Sequence, residues 1–202
     1  MLYDLIIIGA GASGLSCSLV IGSGMKKPFA QEKKVALIAH QKASHLDNAL
    51  FNNVLGSAPG TLGKDILESG IEQLSSHYPA IEHIKKEKVS HVHILDNHFS
   101  IETNKSTYKT KLAVIALNYS KPFTIDGLED YLIPHQRTNV AKDRIQLKNE
   151  DHLVTDGLYV CGTLAGWRSQ FSIAAGSGAQ VATDILTLWN GGKHTKVHDK
   201  IQ

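Results

Sequence analysis

The chain has 202 residues, 42% of them hydrophobic and 20% charged, with 21 basic residues against 19 acidic ones. A chain of this kind buries a real core and falls among soluble globular proteins. Its balanced charge, with no Lys/Arg block carrying interleaved aromatics, argues against nucleic acid as a partner.

No apolar run approaches the ~20 residues that span a bilayer, so no membrane partner is expected. The sequence opens directly on a core strand, so no cleaved signal peptide is expected. Cys17 and Cys161 form neither a C-x-x-C motif nor a metal-ligand spacing and read as buried structural residues. A reducing cytoplasm is the expected setting, and no metal is expected.

The first element is the aliphatic run Leu5-Ile6-Ile7-Ile8, which suits a strand buried on both faces. Gly9-Ala10-Gly11-Ala12-Ser13-Gly14 follows as G-x-G-x-x-G, and Leu15 to Ile21 then has helical spacing. Strand, glycine turn and helix form the context that gives this pattern meaning. Gly9 allows the sharp turn, Gly11 lets the backbone approach a pyrophosphate, and Gly14 lets the helix pack close to the strand. The helix start offers unpaired N–H groups and a positive dipole end to two phosphates. The alternative is a tight turn that holds no ligand.

Gly22 to Pro28 ends this helix, and Val35-Ala36-Leu37-Ile38-Ala39 reads as the second parallel strand. A dinucleotide fold usually places an acid after this strand to hold the adenosine ribose. Here His40 and Gln41 follow Ala39. Either can form a ribose hydrogen bond, and His40 reads equally well as a solvated strand end.

Asp47 to Gly60 is a long loop rich in Asn, Gly, Ser and Pro, of the length that is often functional. A helix follows from Thr61 to Tyr78, then a short strand over Ile81 to Ile84. The charged run 85–88 reads as a solvated turn or strand edge. Val89 to Ile94, His98 to Thr103 and Ser106 to Lys109 alternate as a three-stranded antiparallel meander. His91 and His93 share one strand face but have no third ligand nearby, so they read as exposed sheet histidines.

Lys111 to Ala116 is a buried strand. The signal from Asn118 to Asp156 is poor, with Val140-Ala141 and Arg144 to Leu147 as short strands. Leu158-Tyr159-Val160-Cys161 is another buried strand, followed by Gly162-Thr163. The last helix runs from about Gln170 to Trp189, and residues 193–202 read as a frayed polar tail.

Several separated stretches resemble the FAD-binding part of the thioredoxin reductase-like flavoproteins, within the pyridine nucleotide-disulfide oxidoreductases. Ile6 to Gly14 is similar to their N-terminal FAD fingerprint. Asn52-Asn53-Val54-Leu55-Gly56, with Gly60 and Gly63-Lys64-Asp65-Ile66, resembles the loop after their second strand. Leu112 to Asn118 sits where they have a strand ending in Ala-Thr-Gly. Thr155 to Thr163 resembles their second flavin motif, which ends in Gly-Asp. Gln170 with Ala174 to Gly178 resembles the start of their final helix.

The resemblance implies an α/β, Rossmann-like FAD/NAD(P)-binding three-layer fold, with a parallel central sheet and a small antiparallel β-meander. It implies a single FAD-binding domain over 1–192, built from halves at about 1–118 and 153–192. FAD is the implied cofactor, held by Gly9, Gly11, Ala12, Ser13, Gly14, His40, Gln41, Asn53, Gly162, Thr163, Gln170 and Phe171. The start of the final helix would face the N1/O2 pole of the flavin. Trp167, Arg168 and Phe171 either cover the ring or pack at a homodimer face.

Four departures matter. Thr163 replaces the usual acid, Asn118 replaces a glycine, and the ribose acid is missing. The connection 119–152 is 34 residues long, too short for the second nucleotide domain of that family, and it has neither a glycine fingerprint nor a C-x-x-C. The expectation is therefore an FAD-binding oxidoreductase whose flavin is reduced by a separate electron donor or by a small-molecule or thiol substrate. The alternatives are a non-enzymatic flavin- or nucleotide-binding sensor or assembly subunit and, more weakly, a plain NAD-binding protein.

Overall fold

A computed structural model describes residues 1–40 and 44–199; Gln41 lies outside the described residues. Strand β1 (Leu2–Ile8) leads through the glycine turn into helix α1 (Ala12–Gly24), and β2 (Val35–Ala39) follows. A short pair, β3 (Leu50–Phe51) and β4 (Thr61–Leu62), precedes helix α2 (Gly63–His77) and strand β5 (Ile81–Lys85). The meander is β6 (Val89–Leu95), β7 (His98–Thr103) and β8 (Thr107–Ile115). The connection carries β9 (Leu132–Pro134) and β10 (Ile145–Leu147). The chain closes with β11 (Leu153–Thr155), β12 (Leu158–Val160) and helix α3 (Phe171–Trp189).

The main sheet has the order β11-β12-β8-β1-β2-β5, with β6 and β7 attached through β8. The pairings β12–β8, β8–β1, β1–β2 and β2–β5 are all parallel. The fold is thus α/β with a mainly parallel sheet and an antiparallel meander, as the sequence implies.

The sheet is covered on both faces, and the alternation along β1 shows how. Leu5 and Ile7 point into a core with α1, α2 and α3, where Leu15, Leu74 and Ile185 are buried. Ile6 and Ile8 point into a second core with the meander and the connection, where Val92, Ile101, Leu128 and Leu147 are buried. A strand buried on both faces reads as an unbroken aliphatic run, which is what Leu5 to Ile8 is.

Several sequence expectations change. Ser106 to Lys109 and Lys111 to Ala116 are not two strands but one, β8. Its first part pairs antiparallel with β7 and its later part pairs parallel with β1 and β12. The switch of partner along one edge hides its continuity in the sequence. Val140–Lys142 is a 3-10 turn capped by the Asn139 side chain, which accepts from the Ala141 N–H at 2.9 Å, and not a strand. The connection is ordered, because Ile125, Leu128, Ile145 and Leu147 bury against the sheet.

The tail is tied down over its described part. Thr195 is buried, Val197 packs against the helical core, and Asp199 accepts hydrogen bonds from Tyr78 at 2.7 Å and Ser23 at 3.0 Å.

Close helix packing sets the frame of the molecule. A Cβ on Gly178 of α3 would overlap the Ser13 carbonyl of α1, whereas a Cβ on Gly176, two residues earlier, would meet nothing within 4 Å. Gly178→Ala is therefore expected to destabilise the protein by about 2 kcal/mol or more through overpacking. Gly176→Ala, on the open side of the same helix, should be neutral or stabilising by up to about 1 kcal/mol. Urea denaturation of both variants checks this; equal effects would show that the α1–α3 spacing is not tight.

Candidate functional site

The C-terminal ends of β1, β2 and β8 meet at the glycine turn. The Gly9 N–H donates to the Ile38 carbonyl at 2.9 Å, and the Ala116 N–H donates to the Ile8 carbonyl at 2.8 Å. Gly9 has φ +108°, and a Cβ there would stand 2.5 Å from the Ala116 carbonyl oxygen. A Cβ on Gly14 would overlap the Gly9 carbonyl and approach the Ala116 methyl at 3.1 Å. Both positions therefore require glycine for packing.

Gly11 differs. It is the N-cap of α1, with ordinary extended backbone, and a Cβ on it would meet nothing within 4 Å. The helix start has no side-chain cap and no acid in its first turn. Its first N–H groups have no partners within the helix, and its dipole is uncompensated, which favours an anion.

This helix start opens into a cavity of about 770 Å³. Gly9, Gly11, Ala12 and Ser13 form one wall, with His40 from the end of β2. Phe51 at the end of β3 and Asn53 from the loop after it form another. Thr163 and the segment Ser169-Gln170-Phe171 close the far side. The structure thus brings together nine of the expected site residues. Gly14 and Gly162 lie behind the lining, where Gly162 (φ +75°) brings its backbone against Ser13; a Cβ on it would be 2.6 Å from the Ser13 hydroxyl.

Neutral groups dominate the walls. His40, His45 and Lys88 line the cavity, and Glu87 is the one acid among the described lining residues. Its Oε2 accepts from Thr103 at 2.7 Å and from Tyr108 at 3.0 Å, so its charge is engaged by hydroxyls. Lys88 thus belongs to the cavity wall rather than to a merely solvated turn. Gln170 caps α3, with its side chain accepting from the Ser172 N–H at 2.7 Å. The Phe51 and Phe171 rings lie 5.2 Å apart in a tilted pair beside it.

The turn carrying Thr163 is braced from the connection. His135 Nε2 donates to the Thr163 carbonyl at 3.1 Å, and Asn149 Nδ2 donates to the Ala165 carbonyl at 3.2 Å. Gly166, at φ +88°, rests flush on the Gln146 amide. From the other side, the Gly162 N–H donates to Ser177 Oγ at 2.8 Å, and Ser177 contacts His152 Nε2 at 2.9 Å. Among them, the sequence does not single out His135, Gln146, Asn149 or His152 as site residues. These four come from the stretch with no clear periodicity, and only the polar residues scattered through it hint at them, whereas Ser177 lies in the small-residue run at the start of the last helix.

Cys17 and Cys161 are both fully buried. Burial pushes the Cys161 thiol up to about 12, and burial, with Cys161 nearby, raises Cys17 well above the usual thiol range. Neither is a ready thiolate, which fits structural cysteines better than a redox pair. His91 and His93 stack at 3.8 Å, and His93 Nε2 pairs with Glu102 at 2.8 Å.

No family model matches the chain, and no curated protein matches it. Solved structures do. A ferredoxin-flavin thioredoxin reductase from Clostridium acetobutylicum is 18% identical, with a TM-score of 0.69 over 96% of this chain and 100% of that one. A thioredoxin reductase from Gloeobacter violaceus is 11% identical, with a TM-score of 0.71 over 100% of this chain and 98% of that one. An oxidoreductase from Agrobacterium tumefaciens is 12% identical, with a TM-score of 0.71 over 96% of this chain and 100% of that one. The chain therefore has the fold of the thioredoxin reductase-like flavin oxidoreductases, and no helix among its described residues is long and apolar enough to cross a membrane.

Proposed function

We propose that this protein is an FAD-binding oxidoreductase whose flavin takes electrons from a separate donor or directly from a substrate. One observation carries the reading. The uncapped start of α1, with open space at Gly11, and the start of α3, with Thr163, Gln170 and Phe171, face a single cavity. A dinucleotide with its pyrophosphate at one helix start and its ring at the other suits that arrangement.

In this reading the Gly11, Ala12 and Ser13 backbone holds the pyrophosphate, and His40 hydrogen-bonds the adenosine ribose in place of the usual acid. Gln41, which falls outside the described residues, is the second ribose candidate. Asn53, Thr163, Gln170 and Phe171 orient the ring, with Gly14 and Gly162 setting the spacing behind the lining. FAD supplies electron exchange at the isoalloxazine when bound. The N–H groups at the start of α3 would favour negative charge developing at the ring's N1/O2 pole. Phe51 and Phe171 limit water access to that end.

Electron supply from outside fits the short connection, which is occupied by the β9–β10 pair and its core contacts. The name of the Clostridium neighbour, which couples ferredoxin with flavin, fits such a donor too. A second reading, a flavin- or nucleotide-binding sensor or assembly subunit without turnover, is favoured by Thr163, which leaves the site without the usual carboxylate. A cytoplasmic setting and a homodimer through the Trp167 to Phe171 face complete the proposal.

Gly11→Ala separates binding from folding. Because its Cβ meets nothing, the variant should keep the wild-type unfolding midpoint, yet lose FAD affinity by at least about tenfold, ~1.4 kcal/mol, through intrusion on the phosphate. Wild-type protein titrated with FAD and followed by flavin fluorescence provides the comparison. A wild-type chain that takes up no FAD, or a variant that binds as well, would overturn the reading. NADPH added anaerobically to the FAD-loaded protein should leave the flavin spectrum oxidised over the time in which a chemical reductant bleaches it. Rapid bleaching by NADPH would show that the chain binds a nicotinamide donor after all.

A further inference from the structure

The connection does more than cover the sheet. Two buried histidines on it, His135 and His152, touch the turn that carries Thr163 from opposite sides, and their partners fix their protonation. The Arg137 N–H donates to His135 Nδ1 at 3.1 Å. An amide N–H can only donate, so Nδ1 has no proton, and Nε2–H is the group that donates to the Thr163 carbonyl.

At His152 the order of the ring nitrogens is reversed. The Trp167 indole N–H donates to His152 Nε2 at 2.9 Å, and the indole is a donor only. Ser177 Oγ accepts from the Gly162 N–H and directs its own proton to the same Nε2. His152 therefore carries its proton on Nδ1, which is buried with no hydrogen-bond partner among the described residues. His135 is 6% exposed and His152 5% exposed.

We propose that His135 and His152 are positioning residues that hold the Gly162–Trp167 turn in place only as neutral imidazoles, so that the turn, and with it the Thr163 wall of the cavity, is released when they are protonated. The effect on the cavity's ligand rests on the FAD reading above; the histidine states and the turn do not.

The reason is a count of donors. A second proton on His135 Nδ1 would point at the Arg137 N–H, and one on His152 Nε2 would point at the Trp167 indole N–H and the Ser177 hydroxyl. Each protonation sets donor against donor in a buried place, which costs more than the loss of an exposed hydrogen bond. His152 also stacks on the Trp167 ring at 5.8 Å, and Arg137 stacks on that ring at 4.7 Å. Loss of the indole hydrogen bond therefore removes one of the two partners that hold the Trp167 ring at the end of the turn.

The surroundings of both rings agree. Burial lowers His135 first, with the nearby Arg137 acting in the same direction; the Thr163 and Trp167 carbonyls oppose it. Tyr119 packs edge-on against His135 at 5.4 Å and has Arg144 on its face at 5.0 Å, and no acid among the described residues acts on this ring. Burial lowers His152 as well; Asp184 of α3 and Asp151 oppose that shift. Asp184 is itself raised, by burial first. A histidine that is harder to protonate folded than unfolded stabilises the fold fully above the ordinary histidine range, and this contribution falls as pH drops through and below that range. The release is an acid-side event.

The test uses the full-length protein. Nitrogen-15 NMR of the FAD-free protein at neutral pH should show one buried histidine protonated only at Nε2 and another only at Nδ1. The Trp167 indole and Thr163 amide signals should shift together below the pH at which the exposed histidines titrate. In parallel, the FAD dissociation constant is measured from pH 7.5 to pH 5 with far-UV circular dichroism on the same samples. Affinity is expected to fall at least about tenfold on the acid side beyond the fall seen in the double variant His135→Gln/His152→Gln, with helix content unchanged. Glutamine keeps a donor toward Thr163 and an acceptor toward Trp167 but does not titrate. The reversed tautomers, a Trp167 indole signal indifferent to acid, or an equal acid slope in the double variant would each overturn the proposal. Protein that takes up no FAD at any pH would sink the FAD reading alone, and the Trp167 and Thr163 signals would still decide the histidine brace.

Discussion

Ser13 is held from two directions by atoms that only glycine lets so close. Gly178 brings the backbone of α3 against the Ser13 carbonyl, and Gly162 brings the second turn against the Ser13 hydroxyl. Ser13 is also in the first turn of α1, one residue before Gly14, whose missing side chain seats α1 on the Gly9 carbonyl. Three elements from distant parts of the chain are thereby locked at one point. The start of α1, the Thr163 turn and the first half of α3 therefore meet at Ser13, and the start of α1, Thr163 and the start of α3 line the cavity together.

That constraint explains the division of labour among the glycines. Gly9, Gly14, Gly162 and Gly178 are required by close packing, whereas Gly11 faces open space. A fold needs the first four whether or not it binds anything. Gly11 has no such packing reason, and in the proposed function its bare backbone at an uncapped helix start leaves room for the phosphates. Lys88 on the cavity wall and the hydroxyl-engaged Glu87 carboxylate suit the anionic ligand of the proposed function. The connection contributes the rest. Where the resemblance implies a further nucleotide domain, this chain has a short connection with one β-pair, and His135, Asn149 and His152, which flank that pair, grip the Thr163 turn.

Much of this was legible from the residues. Aliphatic runs marked β1, β2 and β12, because parallel strands buried on both faces leave no polar alternation to misread. The glycine turn and the last helix followed from spacing. The long loop at 47–60 was recognisable as a functional candidate, but not the meeting of Phe51 with Phe171, since contacts between distant segments leave no local pattern. β8 was split in two because its partners change along one edge. The connection was opaque for a different reason. Its apolar residues, Ile125, Leu128, Ile145 and Leu147, are too widely spaced to set a period, and its order comes from packing on the sheet. The two histidines of the brace carry no local signal, because their role depends on which ring nitrogen meets which donor. The described part of the tail departs from its polar composition because Thr195 is buried, Val197 packs on the helical core and Asp199 accepts from Tyr78 and Ser23, and such distant contacts leave no local pattern.

The central claim is that the two helix starts share one dinucleotide. A crystal structure of the protein grown with FAD tests it most directly. The account predicts pyrophosphate oxygens within hydrogen-bond distance of the Gly11 to Ser13 backbone, and the isoalloxazine lying between Asn53, Thr163 and Phe171. FAD bound elsewhere, or bound with its phosphates away from the start of α1, would contradict it.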